Sequence, residues 1–89
     1  MIADEYELTE TDRAMLAFER DHPIWKYQGA KESEIRDRFD LSPTSYYQRV
    51  NRLLDTPAAE LAEPATVRRL RALRDRNYHA AARHRVRPL

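Results

Sequence analysis

The sequence predicts an all-α fold, a small helical bundle containing a helix-turn-helix and no wing. Three observations predict it. Apolar residues recur at the spacing of amphipathic helices along most of the chain. Alternating strand patterns are almost absent, and a single glycine leaves little hairpin chemistry. Pro23, Pro43, Pro57 and Pro64 fall at the edges of the periodic segments, where a proline starts or stops a helix.

The elements follow in order. Residues 1–7 read as a loose acidic tail. Leu8-Thr9-Glu10-Thr11-Asp12 reads as a helix start. Thr9 or Thr11 can cap, and early acids suit the positive end of the helix dipole. Leu8, Met15, Phe18 and His22 lie on one side, so the first helix is expected over Thr9 to Asp21. Pro23 ends it, because a proline disfavours helical geometry in the preceding residue. The connection Pro23 to Gly29 holds the only Trp and the only Gly, and Trp25 is expected to anchor the helix junction. A second helix is expected to begin near Ala30 and to bury Ile35 and Phe39.

Asp40-Leu41-Ser42 then breaks the chain before a third helix, Pro43–Leu54. Ser42 is a good N-cap. Pro43 falls at the first helical position, where its missing N–H costs nothing. Asp40 tolerates the left-handed conformation that often ends a helix, though less well than glycine. Pro57 to Leu61 can form one helical turn. Glu63-Pro64 opens the final helix, with a stripe of Val67, Leu70, Leu73, Asn77, Ala80 and Ala81, and with Arg68, Arg69, Arg71, Arg76 and Arg83 mostly outside. Four main helices are expected in one domain over residues 8–84, followed by a frayed basic terminus, 85–89.

Two helices joined by a turn of three or four residues are the helix-turn-helix signature, in which the second helix can lie in a DNA major groove. At about 100° per residue, Pro43, Tyr46, Tyr47, Leu53 and Leu54 fall within about 60° of Val50. Thr44, Ser45, Gln48, Arg52 and Asp55 cluster opposite. Arg49 and Asn51 sit on the flanks. Gln can pair bidentately with adenine, Arg with guanine, and Ser or Thr with either. The same pattern also describes an ordinary surface helix with a solvated outer face.

The charge layout adds to the turn. The net charge is +1, but residues 1–40 carry −5 and residues 41–89 carry +6. From Pro64 onward one acid, Asp75, faces eight arginines. That excess is far from balanced helix-surface pairing and suggests contact with a polyanion. Arg68, Arg69 and Arg71 are therefore candidate phosphate contacts, beside Thr44, Ser45, Gln48, Arg49 and Arg52 on the third helix.

Other chemistries find no support in the sequence. No cysteine is present, so neither a disulfide nor a thiolate zinc site is expected. His79 and His84 are five residues apart, not the three or four that place ligands on one helix face. Ser42 and Ser45 have no nearby His and no strand–turn context. One glycine cannot build a phosphate loop. No catalysis, cofactor, metal or membrane contact is expected. The acidic start lacks an apolar run, so a cytoplasmic, nucleoid-associated location is expected.

LTETDRAMLAFER (Leu8–Arg20), WKYQGAKESEIRDRFDLSPTSYYQRVNRLLD (Trp25–Asp55) and VRRLRALR (Val67–Arg74) together resemble a family of short actinobacterial helix-turn-helix proteins catalogued as a domain of unknown function. Members carry a double tryptophan after the first helix, where this chain has Asp21-His22-Pro23-Ile24-Trp25. They tend to carry a basic residue at the position of Ser45. The resemblance implies an all-helical, DNA-binding-like domain and no particular target or reaction.

The expected function is that of a small DNA-binding transcriptional regulator, working on double-stranded DNA as a monomer or a homodimer. The alternative is a protein-interaction module that docks on RNA polymerase or another regulator without reading DNA.

Overall fold

The computed structural model describes residues 7–86, with side chains as far as Arg76. Most of the expected acidic tail, the end of the basic terminus, and the side chains of Asn77, His79, Ala80, Ala81, Arg83 and His84 lie outside the described residues. Five helices follow one another: α1 (Glu10–Asp21), α2 (Gln28–Phe39), α3 (Pro43–Leu53), α4 (Pro57–Ala62) and α5 (Pro64–Val86). No strand occurs among the described residues.

Local chemistry sets each boundary. Thr9 caps α1 in a reciprocal box: the Asp12 amide donates to Thr9 Oγ1 at 3.0 Å, and the Thr9 amide donates to Asp12 Oδ2 at 3.0 Å. His22, the residue before Pro23, leaves the helical region with φ −129° and ψ 65°. Helix α2 starts at Gln28, two residues before the expected Ala30. Gly29 falls in the first turn rather than the helix interior, where its conformational freedom would cost more. Asp40 ends α2 in the left-handed region (φ 53°, ψ 40°) and is the one non-glycine residue with positive φ among those described. Ser42 caps α3 by accepting from the Ser45 amide at 3.2 Å, and Pro43 opens the helix.

The segment after Asp55 departs from expectation. The single turn foreseen at Pro57 to Leu61 is a six-residue helix, α4, and the bundle therefore has five helices rather than four. It holds because Ala59 is fully buried beneath α5.

The core draws on every helix: Met15, Leu16 and Phe18 from α1, Ile35 from α2, Tyr46, Val50 and Leu53 from α3, Ala59 from α4 and Val67 from α5. Full burial of one large apolar side chain contributes about 1.5–3 kcal/mol. Aromatic rings fill the α1–α2–α3 junction. Phe18 meets Phe39 and Tyr46 edge-on, with centroids 5.6 and 6.1 Å apart, and Trp25 at 5.7 Å. Trp25 thus plugs the junction as expected, although its indole Nε1 is buried without a hydrogen-bond partner among the described residues.

One buried charge crosses this core. Glu19, 3 % exposed, accepts from the Tyr46 hydroxyl at 2.5 Å and from Lys31 Nζ at 3.2 Å. A single carboxylate therefore joins α1, α2 and α3. Burial first, and then the adjacent Glu19 carboxylate, push the Tyr46 phenol above its ordinary range.

Candidate nucleic-acid interface

Three residues, Asp40 to Ser42, separate α2 from α3, and the apolar side of α3 packs into the bundle through Tyr46, Val50 and Leu53. That packing turns Thr44, Ser45, Gln48 and Arg52 outward, and all four are exposed. Asp55, which the helical period groups with them, follows the helix and pairs with Arg74 at 3.2 Å. The Ser45 hydroxyl accepts from Ser42 Oγ at 3.1 Å and so belongs partly to the helix cap. The Gln48 amide and the Arg52 guanidinium make no side-chain hydrogen bond or ion pair among the described residues. Two side chains with strong directional donors thus stand one helical turn apart with nothing inside the domain to bind.

The other candidate residues are placed differently. Arg49 sits on the flank of α3, with Nη2 3.5 Å from Asp12 Oδ1. Arg68 is exposed and folds back on its own helix, Nε donating to the Pro64 carbonyl at 3.3 Å. Arg69 turns inward and donates through Nη2 to the Glu19 carbonyl at 2.6 Å. Arg71 donates through Nε to the Leu54 carbonyl at 2.7 Å, with Nη2 3.3 Å from Glu60 Oε1.

Glu19 lies in the last turn of α1, and Leu54 is the C-cap of α3. The last four carbonyls of a helix have no intrahelical donor, and a cation suits that negative end. Arg69 and Arg71 therefore cap two helices from α5. Arg74 also reaches back from α5, but to side chains, donating to Asn51 Oδ1 at 3.0 Å and pairing with Asp55 at 3.2 Å. The helical period puts Arg69 and Arg71 mostly on the outer side of the final helix, as candidate phosphate contacts. The unpaired carbonyls waiting at each helix end were the signal that could have turned them inward.

A groove of about 750 Å³ runs along one flank of α3. Its walls include Tyr47, Val50 and Leu54 on one side and Leu70, Leu73 and Arg74 of α5 on the other, with Glu19, Gln28 and Lys31 at one end. Thr44 and Gln48, both exposed, also line it. The sequence gives no hint of this groove, because its walls are brought together only by the return of α5 over α3.

No group of three or more metal-ligating side chains occurs among the described residues. No helix among them is long and apolar enough to cross a membrane.

A small α-helical domain, with an outward polar helix following a three-residue turn, is thus the class of protein defined by the structure. The chain matches the family described as Protein of unknown function (DUF3263) over residues 7–86, and it belongs to that family. No curated protein and no solved structure matches it.

Proposed function

We propose that the protein is a sequence-specific, helix-turn-helix DNA-binding protein that regulates transcription. The observation that carries this reading is the outer face of α3, where the side chains of Gln48 and Arg52 are exposed and without partners among the described residues. With α2 and the Asp40 to Ser42 turn behind it, α3 enters the major groove as the recognition helix. Gln48 and Arg52 read base edges, with Thr44 and Ser45 on bases or adjoining phosphates. Arg49 and Arg68 add phosphate attraction, which is insensitive to sequence and weakens with salt. Arg69 and Arg71 are committed mainly to helix ends and contribute less at the interface.

On this reading the protein has no catalytic role and acts on the nucleoid in the cytoplasm. A footprint this small gains specificity by pairing on two half-sites.

The test is selection of preferred duplexes from a random pool, with the wild type and with Gln48→Ala/Arg52→Ala. A consensus that appears with the wild type and vanishes in the folded double variant supports base readout. An identical consensus in both would refute the role given to α3.

A second reading, docking on a protein without reading DNA, is favoured by Ile24 and Leu61, which are 88 % and 84 % exposed. Crosslinking through these two positions to RNA polymerase, with no selected consensus, would favour it.

A further inference from the structure

We propose that the groove between α3 and α5 binds an amphipathic small organic anion, an apolar body carrying one acidic group, and that its occupant covers Thr44 and Gln48. The second half rests on the DNA-binding reading above; the first half does not.

Size and chemistry carry the inference. A volume of about 750 Å³ is that of a small-molecule site. Val50, Leu54, Leu70, Leu73 and the Tyr47 ring supply apolar wall. Leu73 remains 39 % exposed, so part of that wall faces solvent.

Several of the polar groups around it have hydrogens left to donate, beside the amide and hydroxyl oxygens of Gln28, Thr44, Gln48 and Asn51. Lys31 donates to Glu19 and makes no other hydrogen bond among the described residues, with its ammonium 5.4 Å from the Tyr47 ring centre. The Tyr47 hydroxyl accepts from Gln28 Nε2 at 3.1 Å, which leaves its own proton to give. Arg74 uses both terminal nitrogens on Asn51 and Asp55, and its Nε has no acceptor among the described residues. Thr44 and Gln48 add a hydroxyl and an amide, each able to donate or accept. Glu19 is the sole carboxylate in the lining, and each of its oxygens already accepts a hydrogen bond. Spare cationic and hydroxyl donors beside an apolar wall, with the one lining carboxylate already hydrogen-bonded, favour an acceptor-rich, negatively charged head on an apolar body. An anion seated there lies against the flank of α3 and occupies the space through which Thr44 and Gln48 would approach DNA.

The probe is anilinonaphthalene sulfonate, an aromatic body with one anionic group, titrated into isotope-labelled protein and followed by amide chemical shifts. The expected result is saturable binding at one site, with shifts concentrated at Gln28, Lys31, Tyr47, Asn51, Leu70 and Leu73. Neutral phenylnaphthylamine should bind about tenfold more weakly, as should the anion to Leu73→Glu. Arg74→Gln, a milder change, should weaken the anion several-fold if Leu73→Glu does not fold. Shifts scattered over other faces, no saturation, or equal affinity for the neutral compound would overturn the ligand site. In a second arm, saturating probe is added to a protein–duplex complex. Release of the duplex supports coverage of Thr44 and Gln48; a duplex retained at full affinity overturns that coverage. A protein that binds the probe in the groove but has no affinity for duplex DNA leaves the site standing and removes the DNA-binding reading.

Discussion

The Tyr46 hydroxyl donates to the buried Glu19 carboxylate at 2.5 Å, and this bond ties the putting-in-place of α3 to α1. Lys31 of α2 closes on the other oxygen of the same carboxylate. The outward pose of Gln48 and Arg52 therefore depends on a polar contact at the centre of the domain as well as on apolar packing.

Removing that hydroxyl leaves a buried carboxylate oxygen unpaired. Tyr46→Phe is expected to lower stability by about 1–3 kcal/mol, the cost of an orphaned buried polar group. Urea unfolding of the two proteins measures it, and an unchanged midpoint would show that the bond contributes nothing.

The same contact predicts an alkaline limit. The Tyr46 phenol is raised above its ordinary value in the folded state. The unfolded chain ionises it at about pH 10, whereas the folded chain holds its proton. Its contribution is therefore fully present below that pH and is lost progressively above it, as the unfolded state releases protons that the native state retains. Stability measured from neutral pH to pH 11 should fall more steeply in the wild type than in Tyr46→Phe.

The α2–α3 turn offers a pair of opposite changes. Ser42→Ala removes the α3 cap and is expected to cost about 0.5–2 kcal/mol. Asp40→Gly relieves a left-handed residue and is expected to hold stability or raise it by up to about 1 kcal/mol. Thermal unfolding with both variants checks the signs.

Two neighbouring arginines should separate cleanly. Arg69 holds the Glu19 carbonyl, so Arg69→Ala is expected to destabilise the fold by about 1–3 kcal/mol. Arg68 is exposed and turned onto its own helix, so Arg68→Ala should leave stability within about 0.5 kcal/mol. It should instead reduce the slope of DNA affinity against salt by about one. Denaturation and salt-dependent binding, run on both variants, read the two effects independently.

What was legible in the sequence was local. Thr9, Pro23, Asp40, Ser42 and Pro43 act within a few residues of their own positions, and the structure places each boundary where their chemistry puts it. The apolar side of α3 was legible because Tyr46, Val50 and Leu53 keep the helical period. Three things were not. Glu19 lies one turn after Met15 on the apolar side of α1, but its partners stand on two other helices, so no local pattern announces its burial. Arg69 and Arg71 fall on the outer side of the helical period, as phosphate contacts would, because the carbonyls they cap stand at distant helix ends that no local pattern brings near. The groove has walls from α3 and α5, separated by the whole of α4, and its existence is a property of their packing. The residues assigned to DNA were equally legible as a polar surface, and only their lack of internal partners distinguishes Gln48 and Arg52 from Arg69 and Arg71.

The central claim is that α3 reads DNA. Its most direct measurement is fluorescence anisotropy of the wild-type protein with random and genomic-fragment duplexes across a salt series. Base reading by α3 predicts affinity that falls steeply with salt, with some fragments preferred over others by a margin that survives at higher salt. Weak and equal binding to every fragment, or no binding by the folded protein, would contradict it.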